Sequence, residues 1–196
     1  MFRLSKPTAA AIEATIAAAR NLPPATPALL TLTGGPVSQR QPRGFAHDFS
    51  QSEIGRGPAV FERASQSFST WTHFDLGWVR VANPTTRIGT GNVVAVEVHA
   101  ASLWSLNLSQ IVETIDTPTQ FGFLYATTKL HVEEGQERFL LNFDSDTQTV
   151  TYLIEAVSRP RHPLSRVAYP FTRVMQHRFA RDSHLRMRLT ALPHAQ

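Results

Sequence analysis

With 196 residues, 42% of them hydrophobic, the chain can bury one proper core and sits at the upper edge of single-domain size. It has no cysteine, which excludes a disulfide framework, a thiolate metal site and a cysteine nucleophile, and points to a reducing compartment, the cytoplasm. The net charge of +4 is unevenly placed: residues 159–196 hold eight arginines against Asp182 alone, a net of +7, whereas residues 1–158 carry a net of −3.

The first element is an Ala-rich run, TAAAIEATIAAA, interrupted by Glu13 and followed by Arg20, which reads as a short surface helix and not as a signal segment. No apolar run approaches the roughly 20 residues that a bilayer-spanning helix needs, so a soluble protein is expected. Residues 21–44 contain five prolines and three glycines and read as an extended stretch that wraps the domain. The expected organisation is therefore residues 1–43 as N-terminal helix and extended segment, and residues 44–190 as the folded domain.

Phe45 to Ile54 reads as a first strand. A helix starting near Pro58 follows, with Val60, Phe61, Ala64, Phe68 and Trp71 on one face. From Gly77 the period changes to two. Runs at Trp78–Val81, Asn92–Val98, Leu103–Ile115, Phe121–Thr128, Glu137–Phe143 and Val150–Val157 are rich in Val, Ile, Phe and Tyr and are parted by short turn-like stretches. Connections this short require antiparallel pairing, because parallel neighbours need long crossovers.

The chain closes on a long helix, Pro163 to Leu189, kinked or restarted at Pro170. Turning each residue by about 100° puts Val167, Phe171, Val174, Met175, Phe179, Leu185 and Leu189 on one stripe. Arg166, Arg173, His177, Arg181, His184 and Arg188 gather on the opposite flank. That flank is either an ordinary solvated face or a contact for an anionic membrane surface or an acidic protein. Arg178 and Asp182 point with the apolar stripe; at i, i+4 they either pair with each other or present Arg178 to a ligand.

Strand, helix, six more strands and a long final helix is the order of the helix-grip fold, in which a curved antiparallel sheet wraps the last helix around a cavity. GRGPAVFERA, WTHFDLGWVRV, FGFLYATTKLHVEEGQERF and SRPRHPLSRVAYPFTRVMQHRFARDS together resemble a family of unknown function found in bacteria and plants, grouped with START-like, birch-allergen-like domains. The resemblance covers roughly residues 44–188. It implies an α+β fold, about seven strands curled around the C-terminal helix, and a cavity more than a chemistry, since the superfamily includes lipid carriers, hormone receptors and aromatic cyclases. The chain departs from the family pattern in the turn before His131, where Ala126, Thr127, Thr128, Lys129 and Leu130 replace a Gly-Thr-Leu-Pro-Gly sequence.

The stretch Phe121–Phe143 carries the candidate chemistry, with aromatics beside a polar turn holding His131, Glu133, Glu134 and Glu137. Strand alternation puts Glu137 on the face of Phe139, Leu141 and Phe143, where desolvation would raise its pKa and suit it to proton transfer. Glu137 and His131 are thus candidates for an acid and base of cyclase or hydratase type. The plainer reading pairs Glu137 with Arg159 at the sheet rim and gives His131 a backbone hydrogen bond in its turn. No second histidine lies at ligand spacing from His131, and no phosphate loop, nucleophile elbow or dinucleotide fingerprint occurs, so no metal or cofactor is implied. The arginine flank lacks interleaved aromatics, which points away from nucleic acid.

The expectation is a carrier or binding protein for a small hydrophobic, lipid-like molecule. Trp78, Phe123, Tyr125, Phe139 and Met175 form its apolar walls, and His131, Glu137, Arg159 and Arg178 its few polar contacts. The competing readings are the cyclase or hydratase and a basic-surface interaction module with a filled core.

Overall fold

The computed structural model describes residues 2–35, 42–161 and 169–192. In chain order these form β1 (Phe2–Arg3), α1 (Ala9–Ala19), β2 (Ala46–Arg56), α2 (Pro58–Ser69), a 3₁₀ turn (Thr72–Phe74), β3 (Val79–Val81), β4 (Val93–Ala100), β5 (Leu103–Asp116), β6 (Gln120–Thr127), β7 (Glu133–Asp144), β8 (Thr149–Pro160) and α3 (Tyr169–Ala191). The strands make one antiparallel sheet in the order β2-β8-β7-β6-β5-β4-β3, with β1 on the free edge of β5. This is the expected curled sheet with its C-terminal helix. The strand holding Glu137 begins earlier than expected, so Glu133 and Glu134 lie in β7 and not in the turn.

Curvature has local causes. The register shifts between Glu53 and Gly55 in β2 and between Ile111 and Glu113 in β5, and such bulges bend a strand and increase its twist. Gly135 in β7 lies so close to β8 that a Cβ there would collide with the backbone of Val157 and Ser158.

Period-two alternation gives the sheet two apolar faces. The inner face carries Val94, Val96, Ile111, Phe123, Tyr125, Phe139, Leu141, Tyr152 and Ile154 and packs against α2, the 3₁₀ turn and α3. At its centre His73 is fully buried, its ring stacked on Phe68 at 4.0 Å with neither nitrogen hydrogen-bonded, and burial pushes its pKa down to about 3, so it stays neutral. The outer face is covered twice. α1 packs Ile12 and Ala19 on Val93, Ala95, Leu106 and Leu108. Residues 25–34 lay Leu30 and Leu32 on Leu124 and Val157.

That extended segment is bound through its backbone. The Gln136 side chain accepts from the amides of Leu29 and Leu30 at 2.8 and 2.9 Å. Arg138 donates to the carbonyls of Thr31, Leu32 and Gly34 and pairs with Glu155 at 2.5 Å, and Glu155 also meets His47 at 2.7 Å. Arg138 and Glu155 are 2% and 0% exposed, so this charged cluster is interior although it sits on the sheet face opposite the main core.

α3 turns a different stripe inward from the expected one. Phe179 and Ala180 pack on the core, with Ser183, Met187 and Ala191 buried, whereas Val174, Leu185 and Leu189 are more than half exposed. Ser183 accepts or donates one hydrogen bond with the Tyr152 hydroxyl at 3.0 Å, and His184, placed on the polar flank by the helical wheel, faces β2 and bonds Ser50 and Ser52. Small residues let the helix approach the aromatic sheet closely, and that need outweighs side-chain size. Pro170 lies in the first described turn of α3, where proline is tolerated. Residues 163–168, including Arg166 and Val167, lie outside the described residues.

Candidate functional site

Between the inner face of the sheet and the first half of α3 lies a cavity of about 500 Å³, within the range of small-molecule sites. Its walls are mainly apolar: Trp78, Val96, Val98, Ile154, Met175 and Phe179 among them. Three carboxylic acids line it, Asp48 from β2 and Glu133 and Glu137 from β7. No lysine or arginine does so among the described residues.

Each acid has its own partner. The Tyr125 hydroxyl, on the neighbouring strand and directly opposite Glu137 in register, donates to Glu137 Oε2 at 2.5 Å. Burial pushes the Glu137 carboxyl up to about 8, against the opposing pull of the Tyr125 bond, and the nearby charges of Glu133 and Asp48 push it the same way as burial. Its side chain keeps some accessible surface because it faces the cavity, so the filling of that cavity decides how far the rise is realised. Burial and Glu137 together hold the Tyr125 phenol well above its usual value. Glu133 is pushed up to about 7, mainly by burial, while the Gln176 amide, donating to both its oxygens at 3.0 and 3.1 Å, and the Arg173 charge pull it down. Asp48 is paired with Arg173 of α3.

One further polar group opens on this face. Asn107 is 7% exposed, bonds Ser105 through Nδ2 at 3.1 Å and leaves Oδ1 without a partner. A buried acceptor without a bond costs about 1–3 kcal/mol, so it is a group to account for. Asp48, Glu133, Asn107 and Gln176 were not among the expected site residues. Only Glu133 had a sequence signal, its place beside His131.

The expected residues divide. Trp78, Tyr125, His131, Glu137 and Met175 line the cavity. Phe123 and Phe139 are fully buried in the aromatic core behind it and are not wall residues. Arg159 is corrected: it lies on Glu134 at 3.0 Å and over the Phe45 ring, because Glu134 points to the opposite face from Glu137 and is its register partner in β8. Arg178 is also outside the cavity. It stacks on the Trp78 ring at 4.5 Å and meets Asp182 at 3.4 Å, while Asp182 accepts from the Trp78 indole at 3.0 Å.

The pairing of Glu137 with Arg159, expected as the plainer reading, does not form: Glu137 is bonded by Tyr125 and Arg159 by Glu134, whereas His131 takes the turn hydrogen bond expected of it. The His131 Nδ1 accepts from the Glu133 amide at 2.9 Å in its own turn, and burial pushes its pKa down to about 4. His131 is a neutral turn histidine at the cavity edge. On the basic flank, Arg173 is held by Asp48, Arg181 by Asp182 at 2.9 Å, and Arg188 donates to the Glu53 carbonyl at 3.2 Å. Intramolecular partners thus account for these three.

A family model described as Domain of unknown function (DUF1990) matches residues 30–186. A UPF0548 protein of Deinococcus radiodurans is 30% identical over 193 residues, covering 92% of this chain and 94% of that protein. Among solved structures, a hypothetical protein from Helicobacter pylori superposes with a TM-score of 0.55 at 10% identity, over 86% of this chain and all of that one. The Zhui aromatase/cyclase from Streptomyces gives 0.50 at 13% identity, over 75% of this chain and 93% of that one. At such identities the likeness is one of fold, and that fold is the helix-grip.

Proposed function

The chain belongs to the DUF1990 family, a family of unknown function, and from the cavity its helix-grip fold encloses we propose that it binds a small, largely apolar molecule between the sheet and α3. The observation that supports this most is the space itself. A space of about 500 Å³ walled by Trp78, Val96, Val98, Ile154, Met175 and Phe179 is the size of a small-molecule site, and no described side chain fills it. A lipid-like or similarly apolar body suits those walls, and a few polar groups at one end suit a ligand held in a single orientation. The carrier reading is preferred to the acid–base enzyme because Glu137 has a tyrosine for its partner and His131 is engaged by its own turn.

The test is uptake of N-phenyl-1-naphthylamine, a dye that is neutral at pH 7 and brightens in apolar surroundings. The parent protein is expected to take it up. Met175→Trp, which puts an indole into the void, is expected to abolish uptake at a stability cost below the ~1–3 kcal/mol typical of overpacking a tight core. Absence from the parent of both dye uptake and octylamine binding by titration calorimetry, or uptake indifferent to Met175→Trp, would refute the reading.

A further inference from the structure

Counting the cavity's charges against their partners leaves an imbalance. Asp48 is neutralised by Arg173, but among the described residues Glu133 and Glu137 are hydrogen-bonded by uncharged donors, the Gln176 amide and the Tyr125 hydroxyl. The charges of Glu133 and Asp48 act on Glu137, and that of Asp48 on Glu133, each in the direction that raises the pKa. Arg173 reaches Glu133 only through space and does not line the cavity. His131, the histidine nearest to Glu133, is held neutral.

The same cavity is lined by Asn107, with its side-chain carbonyl. It is a second, independent acceptor, on a different strand, more than nine-tenths buried and without a hydrogen-bond donor. Ser105 and Asn107 of β5 lie on the sheet face that carries the cavity, and both line it together with Glu133 and Glu137. Two carboxyls with no lysine or arginine bonded to them among the described residues, and the Asn107 side chain, therefore line one mainly apolar space that also carries Gln136, Gln176 and His177. Desolvated carboxyls and an orphaned carbonyl share one complement, a group rich in N–H donors carrying positive charge.

We propose that the natural ligand is a hydrophobic amine: an apolar body in the cavity with its ammonium held by Glu133, Glu137 and Asn107. The inference rests on the cavity being a binding site and adds the chemical class of its occupant. A fatty acid or other carboxylate is disfavoured, since its anion would meet three carboxyl groups and no lysine or arginine among the described residues of the lining. A neutral alcohol can bond the acids but leaves them without a counter-charge.

The experiment is displacement of N-phenyl-1-naphthylamine from the parent protein at pH 7 by octylamine, octanol and octanoate, three ligands with one apolar chain and different heads. Octylamine is expected to displace the dye at about tenfold lower concentration than octanol and at a still lower one relative to octanoate, a tenfold ratio being what one modest charge-assisted contact supplies. In the Glu133→Gln/Glu137→Gln double variant the octylamine advantage over octanol is expected to fall to within about threefold. Octanoate or octanol matching octylamine on the parent overturns the amine inference while leaving the cavity reading intact. If the dye does not enter, titration calorimetry with octylamine decides, and absence of octylamine binding sinks both.

Discussion

Replacing Glu137 by glutamine exchanges a carboxyl for an amide of the same size, and the structure says on which side of neutrality this helps. In the folded protein burial pushes the carboxyl up from 4.5 to about 8. Between those values the unfolded chain releases a proton that the folded chain must keep, so the folded state is penalised. The penalty is absent below pH 4.5, grows as pH rises and is complete above about pH 8. At about 1.36 kcal/mol per pKa unit the shift amounts to at most ~5 kcal/mol above pH 8 and ~3 kcal/mol at pH 7. Glutamine has no proton to lose, and its amide oxygen can still accept from Tyr125. Glu137→Gln should therefore be as stable as the parent at pH 4.5 and more stable at pH 7. The melting temperature should rise by roughly 6–12 °C at pH 7, at 2–4 °C per kcal/mol for a chain of this length. Water filling the cavity solvates the carboxylate and shrinks the gain; an apolar occupant preserves it. Glu133, with its pKa near 7, adds a second, coupled step to the parent's pH profile, tempered by Gln176 and Arg173 and reinforced by Asp48. Thermal unfolding followed by far-UV circular dichroism at pH 4.5, 7 and 8.5 reads the effect. A variant less stable than the parent at pH 8.5, as a rim carboxylate paired with a cation would give, would refute the reasoning.

Arg138→Met should destabilise the protein by about 3–5 kcal/mol, because Glu155 is left charged and buried and three carbonyls of residues 31–34 lose their donor; urea unfolding measures this. Adding Glu155→Leu should recover much of that loss, and no recovery would mean that the carbonyl bonds alone hold the segment. Leu185→Gln and Leu189→Gln should each change stability by less than about 0.5 kcal/mol despite removing leucines, since both side chains already face solvent. Arg178→Gln should leave dye uptake by the cavity intact, because its guanidinium lies on the outer side of Trp78 with Asp182.

The strands were legible because period-two alternation of Val, Phe and Tyr survives in every run from β3 to β8, and short connections leave antiparallel pairing as the geometry available. Alternation also put Glu137 on the cavity face. Its partner was not legible: Tyr125 lies 12 residues earlier in the chain, and only the β6–β7 register places the two side by side. Arg159 failed for the complementary reason, since one step along β7 sends Glu134 to the opposite face and takes Arg159 with it. The helical wheel erred on α3 because it ranks positions by apolar size, whereas Ala180, Ser183 and Ala191 are inward by virtue of being small. Arg138 and Glu155 read as solvated strand residues on a polar face. They become interior only because residues 25–34 lie over them, a contact more than a hundred residues long in sequence.

The clasp of residues 25–34 on the outer face has a mechanical consequence. Seven strands bent around a void would tend to flatten or breathe, but here the outer skin is fastened by the Arg138 and Gln136 bonds across β6–β8, so that wall behaves as a stiff shell. The opposite wall is jointed. α3 is anchored in its second half through Ser183, Met187 and Ala191, while its first half, over the void, is tied by the Arg173–Asp48 and Gln176–Glu133 contacts. Those two latches are polar and involve the same acids that face the cavity, so the contact of α3 with this wall depends on the state of those acids. Anything that draws Glu133 away from Gln176 also loosens the latch.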